Sequence, residues 1–485
     1  MKTSKTSNDR TPVDLISQNL VRKSTFLEKL ITRYKLVTIL AASFALVILT
    51  GSILLALPFS NKGASVSYLT HLFVATSAVC VTGLSPVTVA DQYTLFGKSV
   101  LILLMQIGGL GLMTFVALVI NFGKNRASFK ELQALADATG KSGYYDVAGY
   151  VRRIVKYTVF FELIGFILIS IRFTDDFGIG QGLYNALFVS VAAFTNAGFD
   201  CFASNSLGAY ATDPLVSLTV MALIVIGGLG FIVWIEIKHH LQTMKEHRLP
   251  LRSFFPSFSA HTKTVVVVTL ILILSGTLIF MTAEFSNPNT LGPYNLWEKF
   301  LVSGFQSITL RTAGFSTISI ASCRRFTLLI MCIFMLIGGS PGSTAGGIKT
   351  TTVAVILVML RSFMKQELDN CNLFHRRIRR RYFINAELVM TSYLFFLVIG
   401  IIALVGTESS IPTLHLVFEA VSAIATVGLT ADTTVSLSVA GKLIIIVLMF
   451  IGRIGPIAMI EIFQRTLHKP PHNNVQYPPA NIMIG

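Results

Sequence analysis

Four short segments of the sequence share one pattern, in which a phenylalanine, a run of small and apolar residues and a glycine recur at similar spacing. The shared glycines are Gly83, Gly198, Gly314 and Gly428, separated by 115, 116 and 114 residues. An interval this constant across four copies indicates internal repetition of one structural unit. The four segments run from Phe73 to Leu84, from Phe188 to Phe199, from Phe305 to Phe315 and from Phe418 to Leu429.

The chemistry that this pattern can perform lies in its backbone. Glycine permits positive φ and close approach of neighbouring backbones, so four such strands can aim carbonyl oxygens at one axis, and rings of carbonyls replace the hydration shell of K⁺. The negative helix ends that precede them favour a cation. The alternative is that these are small residues at helix-packing interfaces. The candidate K⁺-binding filter residues are Val81, Thr82, Gly83, Asn196, Ala197, Gly198, Thr312, Ala313, Gly314, Thr426, Val427 and Gly428.

A second candidate site is a glycine-rich stretch that begins 24 residues beyond Gly314. Five glycines and one proline in ten positions are incompatible with a continuous helix. Irregular backbone at membrane depth must line a cavity or be buried in protein, so we predict a gate loop that obstructs the pathway on the cytoplasmic side. A passive kink is the alternative. The loop residues are Gly338, Gly339, Ser340, Pro341, Gly342, Ser343, Thr344, Ala345, Gly346 and Gly347.

Two cations are assigned to the same gate. Arg453 lies 25 residues beyond Gly428, at a depth where a guanidinium costs about 3 kcal/mol or more unless it is paired or hydrated. We predict that Arg453 hydrogen-bonds to carbonyls of the glycine-rich loop and holds it closed; the alternative is a role in packing alone. Lys349 follows the loop by two residues and is expected near the cytoplasmic mouth of the pathway.

The elements that must position these groups follow from composition. The 485 residues are 53% hydrophobic and 13% charged, with a mean hydropathy of +0.70, which indicates an integral membrane protein. A helix needs roughly 20 apolar residues to cross the hydrocarbon core. Eight runs meet this length, near residues 37–57, 97–121, 154–171, 215–236, 264–283, 326–360, 386–405 and 440–463.

The basic residues lie between these runs. Of the 39 Lys and Arg residues, 29 fall in the segments 1–36, 123–157, 236–263, 361–382 and the tail after Gln464. The positive-inside rule makes these segments and both termini cytoplasmic, in a multi-pass protein of the cytoplasmic membrane. Anionic lipid accounts for the net charge of +16, so nucleic-acid binding is not indicated. The five cysteines have no spacing typical of a metal site.

Each shared glycine is followed, 24 to 29 residues later, by an Ile-Gly pair in the next apolar run. The repeat therefore consists of a helix (M1), a short re-entrant pore segment (P) and a second helix (M2), with all copies in one orientation. We predict an all-α membrane protein with eight transmembrane helices and four pore helices around a pseudo-fourfold pore. Its parts are the basic N-terminus 1–36, repeats at 37–122, 152–236, 264–360 and 386–463, and the tail 464–485.

Several of these segments together resemble one known family. They are the four filter segments, Leu-Ala-Leu-Pro from Leu55, the run from Gly338 to Thr352 and Gly-Arg-Ile-Gly-Pro from Gly452. In these motifs the chain is similar to the membrane subunit of bacterial Ktr/Trk-type potassium transporters, over roughly residues 37 to 465. The tail that begins at Tyr477 resembles the Ktr branch. The filters of this family lack the repeated Thr-Val-Gly-Tyr-Gly of tetrameric channels, as does this chain.

The resemblance implies K⁺ uptake, often coupled to Na⁺ in Ktr systems. It also implies a homodimeric membrane subunit on a ring of cytosolic nucleotide-binding subunits. K⁺ is then the substrate, Na⁺ the candidate coupling ion, and no cofactor or further metal is expected on this chain. Relatives with Ser in place of the first filter glycine select Na⁺, whereas all four glycines are present here, which favours K⁺.

Two other functions are compatible with parts of the sequence. A repeat-built transporter for another small cation, Na⁺ or ammonium, would use the same architecture. An intramembrane serine hydrolase is suggested by the literal G-x-S-x-G around Ser340. A nucleophilic serine needs an adjacent base, and none of the nine histidines is well placed for that role, so we expect a transporter and not an enzyme.

Overall fold

The computed structural model shows a protein that is predominantly α-helical in every part described. One two-stranded antiparallel ribbon pairs β1 (Asn372–Leu373) with β2 (Arg376–Arg377). The predicted all-helical class is therefore confirmed. Nearly all of the predicted basic N-terminus, most of the basic segment 123–157 and most of the tail lie outside the described residues. The described residues are 36–63, 66–111, 147–202, 206–248, 250, 252, 254–366 and 371–467.

Within its described residues, the chain from Leu36 to His247 forms eight helices, in which a first helix, a shorter helix that we call the pore helix and a second helix follow one another twice. The helices are α1 (Leu36–Ala56), α2 (Tyr68–Val79), α3 (Val89–Gln92), α4 (Leu95–Leu110), α5 (Val147–Phe177), α6 (Ile179–Thr195), α7 (Pro214–Leu229) and α8 (Phe231–His247).

The remaining chain repeats this order twice, after a short linking helix. The helices are α9 (Phe254–Ser257), α10 (Ala260–Glu284), α11 (Leu296–Thr309), α12 (Arg325–Leu336), α13 (Thr350–Met364), α14 (Arg380–Thr407), α15 (Thr413–Ile424), α16 (Val439–Ile454) and α17 (Pro456–Leu467).

The four pore helices α2, α6, α11 and α15 form the centre of the molecule. Their C-terminal halves are buried almost completely, because small residues such as Ala75 and Ala192 allow close packing there. The longer helices outside them carry apolar side chains that remain exposed, including Leu274 and Ile402 at 67% each. An apolar exterior around a packed centre is the arrangement expected in lipid.

Contacts between repeats run in one direction and close on themselves. The helix that follows each pore helix packs on the pore helix of the next repeat, as α4 does on α6, α7 on α11 and α12 on α15. The cycle closes where α16 packs on α2, the first pore helix in the chain. Each pore helix is therefore held by its own repeat and by its predecessor.

The predicted spans 215–236 and 440–463 are broken, as is the glycine-rich run 326–360, and glycines of positive φ follow the second helices of three repeats. Helices α4, α7 and α16 end at Gly111, Gly230 and Gly455, with φ of +76°, +93° and +100°. Glycine adopts such angles without the steric cost of a side chain. At Gly230 the two flanking helices meet at 94°, so the run 215–236 is not one straight span.

Within the described residues, three helices are long and apolar enough to cross a membrane by themselves, and the bent pair α7 and α8 makes a fourth if it is counted as one span. The other predicted spans appear as shorter apolar helices of 10 to 17 residues, counted for α1 over Leu40–Ala56, or as broken segments. The count of eight spans thus stays a prediction. The three long segments are Val151–Phe177, Ala260–Glu284 and Arg380–Thr407.

The recurring Ile-Gly pairs have a packing role that the spacing alone did not reveal. In three of the four pairs, a Cβ added to the glycine would overlap a carbonyl oxygen at the end of the preceding pore helix, whereas at Gly338 it would overlap the Gly346 carbonyl of the glycine-rich loop. The second helix can therefore approach the pore helix closely only without a side chain at this position. The overlapping pairs are Gly108 with Val79, Gly227 with Phe194 and Gly452 with Ile424.

We expect Gly452→Ala to lower the free energy of unfolding by roughly 1–3 kcal/mol, because the added methyl overpacks a closed interface. Gly406→Ala is the matched control, since its methyl would meet nothing within 4 Å and alanine is the better helix former. Melting temperatures of the two purified variants in one detergent provide the measurement. Equal melting temperatures would contradict the packing role of Gly452.

Candidate functional site

The residues predicted as a filter have an unusual backbone at equivalent positions in all four repeats. The first residue of each glycine-ending triplet is left-handed, although valine and threonine rarely adopt positive φ. Such strain persists only where the surrounding structure enforces it, often at functional sites. The φ values are 57° at Val81, 60° at Asn196, 64° at Thr312 and 53° at Thr426, followed by 102° at Gly83, 67° at Gly198, 79° at Gly314 and 94° at Gly428.

Backbone N–H groups of these triplets point back toward their own pore helices. In the first repeat the Thr82 N–H donates to the Ser77 carbonyl (2.8 Å) and the Gly83 N–H donates to Ser77 Oγ (3.0 Å). A trans peptide directs its C=O opposite to its N–H. The carbonyls of Val81 and Thr82 therefore point away from the pore helix.

The other repeats use similar bonds. In the fourth repeat the Val427 and Gly428 N–H groups donate to the carbonyl and Oγ of Ser422, at 2.8 and 3.1 Å. The second and third repeats keep the bond from the middle residue of the triplet, from the Ala197 N–H to the Ala192 carbonyl (2.8 Å) and from the Ala313 N–H to the Thr309 carbonyl (2.9 Å).

The four triplets meet in a closed ring. A Cβ built on Gly83 would lie 2.7 Å from the Ala197 carbonyl oxygen, and one on Gly198 would lie 2.7 Å from that of Ala313. Each glycine thus faces the carbonyl that precedes the glycine of the next repeat, which leaves no space for a side chain. The ring continues from Gly314 to Val427, at 2.6 Å, and closes from Gly428 to Thr82.

A cavity of about 350 Å³ opens on one side of this ring and is lined by all four glycines. The carboxylate residues Asp200 and Asp432 also line it. Acidic side chains at the mouth of a cleft raise the local concentration of cations. The glycine-rich loop lies on the other side of the ring.

The loop between α12 and α13 contacts the filter on the side opposite the cavity. Thr344 Oγ1 donates to the Phe194 carbonyl at the end of α6 (3.2 Å). A Cβ on Gly346 would overlap Thr426 Oγ1 and lie 3.2 Å from the Ala425 carbonyl. The loop therefore reaches the inner ends of the second and fourth filter strands, and Ser340 and Thr344 are fully buried in it.

The bend at Gly230 provides the attachment for the loop. The N–H and the hydroxyl of Ser340 donate to the Gly228 carbonyl (3.0 and 2.8 Å), and the hydroxyl also contacts the Leu229 carbonyl. In return, Phe231 N–H donates to the Gly342 carbonyl (3.0 Å). Helix ends expose carbonyls and N–H groups that lack partners, and here the loop satisfies them.

Both predicted gate cations contact the loop. Arg453 Nη1 donates to the Thr344 carbonyl (2.7 Å), and Nη2 donates to the Gly108 carbonyl of α4. Lys349, which we expected near the cytoplasmic mouth, donates its Nζ to the loop carbonyls of Ala345 (2.7 Å) and Gly346 (3.3 Å). Arg453 therefore links the loop to the C-terminal end of α4 in the first repeat.

Sequence reasoning missed polar residues that support the filter from behind. Ser77 and Ser422 stand six residues before their glycines, and only these two copies carry serine there. Glu419 accepts hydrogen bonds from Thr430 (2.8 Å) and Thr434. The matching residue of the third repeat, Gln306, donates to Thr317 (3.2 Å). The available signal was a polar residue directly after the first phenylalanine of these two motifs.

The fold is that of a helical cation transporter. The protein is similar to the solved structure of the potassium transporter TrkH from Vibrio parahaemolyticus, with a TM-score of 0.64 and 17% identity. The superposed region covers 88% of this chain and 86% of that structure. A family model described as TrkH, a cation transport protein, matches residues 23–475. The chain therefore belongs to the TrkH family of transmembrane cation transport proteins.

Relatives within this family are similar over nearly their whole length. Ktr system potassium uptake protein B of Bacillus subtilis is 38% identical over 92% of this chain and 96% of its own. The protein of the same name from Vibrio alginolyticus is 37% identical over 92% and 94%. The potassium/sodium uptake protein NtpJ of Enterococcus hirae is 35% identical over 93% and 97%.

Membership of a transport family confirms the resemblance to Ktr/Trk transporters and the expectation of a transporter. The serine hydrolase alternative is wrong. Ser340 is buried and its hydroxyl donates to backbone carbonyls, so it serves the attachment of the loop.

We expect Ser422→Ala to weaken cation binding at the filter, because the Gly428 N–H loses its acceptor at a cost of about 1–3 kcal/mol. The half-saturation concentration for transport by reconstituted protein should rise at least several-fold. Ser303→Ala in pore helix α11 is the matched control, since that buried hydroxyl has no hydrogen-bond partner among the described residues. Equal half-saturation concentrations in both variants would contradict the role of Ser422.

Proposed function

We propose that this protein carries K⁺ into the cell through the ring of backbone carbonyls. The observation that carries the proposal is the closed cycle in which each filter glycine faces the carbonyl before the next glycine. Carbonyl rings of this kind replace the hydration shell of K⁺. The names of the Ktr relatives, which describe potassium uptake proteins, support the same ion.

The architecture that we propose is four M1–P–M2 repeats around a central pore, with eight crossings of the cell membrane. The cyclic packing of second helices on the next pore helices supports this arrangement. The cavity lined by Asp200 and Asp432 would face outward. The loop would face the cytoplasm, together with both termini, because the helix that leaves it leads to the basic segment from Arg361 to Arg381.

The loop and Arg453 form the gate in this proposal. The loop lies against the inner ends of two filter strands and is anchored at the Gly230 bend and at Arg453. An ion leaving the filter along the axis would meet the loop backbone. Opening therefore requires the Thr344 carbonyl to leave the Arg453 guanidinium.

Transport of another monovalent cation is the second candidate function. One relative is named a potassium/sodium uptake protein, so Na⁺ as a transported or coupling ion stays open to test, as does ammonium. Competition among K⁺, Na⁺ and ammonium for uptake by the purified protein distinguishes these possibilities.

We further propose a homodimer that works with a cytosolic nucleotide-binding ring. The support is the similarity to proteins named as components of a Ktr system, together with basic residues Arg376 to Arg381 in the proposed cytoplasmic segment. The mass of the complex purified from native membranes tests both parts. A monomer of full activity with no soluble subunit would contradict them.

Replacing any of Gly83, Gly198, Gly314 or Gly428 by Ser should lower K⁺ affinity or allow Na⁺ to compete, because the new side chain overlaps a neighbouring carbonyl. Uptake kinetics in a host deficient in K⁺ uptake provide the measurement, normalised to protein in the membrane. Gly63→Ser is the control, since its added atoms meet nothing within 4 Å. Unchanged K⁺ and Na⁺ kinetics in all four filter variants would refute the filter.

Arg453→Ala should raise the maximal K⁺ flux per reconstituted molecule, as should a deletion within the loop. A charge-assisted hydrogen bond is worth roughly 1.5–3 kcal/mol, so its loss can shift the gate about tenfold or more toward the open state. The K⁺ over Na⁺ preference should survive. The exposed Arg361 at the end of α13 supplies the control variant Arg361→Ala. Maximal rates equal to or below wild type in both gate variants would rule out gating.

A further inference from the structure

A second arginine lies beside the filter, and neither the filter nor the loop accounts for it. Arg311 directly precedes the third filter strand and is only 4% exposed. Its Nε and Nη2 atoms are buried without a hydrogen-bond partner among the described residues. Its backbone carbonyl accepts from Asn196 Nδ2 at 3.3 Å. Burial of this guanidinium without a full set of partners lowers the stability of the folded protein, because a buried unpaired charge loses its hydration. Its position therefore calls for an explanation other than stability.

The internal repeat shows which level of the structure Arg311 occupies. The residue three positions before the filter glycine is Cys80, Thr195, Arg311 or Ala425, so only the third copy is charged. In the second and third repeats this position can be compared through its contacts with the preceding repeat. It faces the residue that directly follows the Ile-Gly pair of that repeat, which is Gly109 for Thr195 and Gly228 for Arg311. A Cβ on Gly109 would lie 2.7 Å from Thr195, and one on Gly228 would lie 3.9 Å from Arg311 Nη2.

The counterpart of Gly109 and Gly228 in the fourth repeat is Arg453. The Arg311 guanidinium therefore lies next to Gly228, the position of the second repeat that is equivalent to Arg453 in the fourth repeat. In the cycle of four repeats, the second and fourth repeats are two positions apart. The two arginines come from different elements, a pore helix end in one case and a second helix in the other. Arg311 thus lies at the contact between the second and third repeats, and Arg453 at the contact between the fourth and first repeats.

We propose that Arg311 is a fixed positive charge at the inner end of the filter that, together with Arg453, limits how readily cations occupy the space below the filter. This proposal rests on the proposed K⁺ pathway. Two like charges repel strongly where the effective dielectric constant is about 20. The charge of Arg311 thus raises the energy of an ion at this level independently of any contact with the loop.

The two arginines differ in whether they donate a hydrogen bond to the glycine-rich loop, and this difference gives them different roles. Arg453 donates to the Thr344 carbonyl and so depends on the position of the loop. The described residues show no bond from Arg311 to the loop, so its charge remains beside the path when the loop moves. Arg311 therefore sets a barrier that persists in the open state, whereas Arg453 also contributes to closure.

Blocking by Ba²⁺ tests this barrier, because Ba²⁺ resembles K⁺ in size and carries twice the charge. K⁺ flux is measured in inside-out membrane vesicles, in which Ba²⁺ is added from the loop side. Arg311→Met should lower the Ba²⁺ concentration for half-inhibition by about tenfold or more, while Arg311→Lys should stay near wild type. In right-side-out vesicles Ba²⁺ reaches the cavity side first, and inhibition should change less than twofold.

A second pair of variants changes the charge without removing Arg311. The space at Gly228 is open enough for a side chain, since a Cβ there makes only ordinary contacts at 3.7 and 3.9 Å. Gly228→Asp places a carboxylate beside the guanidinium and should reproduce the effect of Arg311→Met. Gly228→Asn has the same shape without the charge, so any effect on the loop anchored there is common to both variants. Gly228→Asp should lower the Ba²⁺ concentration for half-inhibition by about tenfold or more relative to Gly228→Asn.

Loop-side Ba²⁺ inhibition that is unchanged in both Arg311→Met and Gly228→Asp would overturn the proposal, as would an equal change in Gly228→Asp and Gly228→Asn. If Arg311→Met does not fold, the Gly228 pair alone decides. Failure of the proposed pathway looks different, because the wild-type protein would then show no K⁺ flux in either kind of vesicle.

Discussion

The close approach of four backbones around one axis is the constraint on which the rest of the structure depends. Each filter glycine faces a carbonyl of the next repeat at a distance that leaves no room for a Cβ. The pore helices must therefore end at one level, and their C-terminal halves must be packed with small side chains. The second helices must then approach those ends closely, which explains the second set of glycines at Gly108, Gly227 and Gly452.

A strained backbone of this kind needs support from outside the ring. Val81, Thr312 and Thr426 hold positive φ, which costs of order 1–3 kcal/mol each. Hydrogen bonds from the triplets to their pore helices offset this cost and also fix the direction of the carbonyls. Support is unequal, because Ser77 and Ser422 add a side-chain acceptor that the other two repeats lack. The ring is uniform in backbone, while the side chains behind it differ.

This difference determines how much could be predicted from the sequence. A position where only glycine fits recurs in every copy, so the spacing predicts the repeat and the filter triplets, and the predicted helical class is confirmed. Ser422 and Glu419 occur in one or two copies and did not enter the shared pattern. The bend at Gly230 was missed because its glycine belongs to a motif that also serves helix packing. The bonds from Ser340 to Gly228 join residues 112 positions apart, and no local pattern predicts such a contact.

The departures from fourfold repetition concentrate on one side of the ring. A carbonyl ring that surrounds a spherical ion works best with equal contributions from each repeat, which favours four glycines. In the pathway that we propose, an obstruction on the axis needs only one loop, which accounts for a glycine-rich segment in the sequence of the third repeat alone. That loop must then be held from different directions, by the exposed helix end at Gly228 and by the guanidinium of Arg453. Repetition at the ring of glycines and asymmetry on its loop side are thus both accounted for by the single central pathway that we propose.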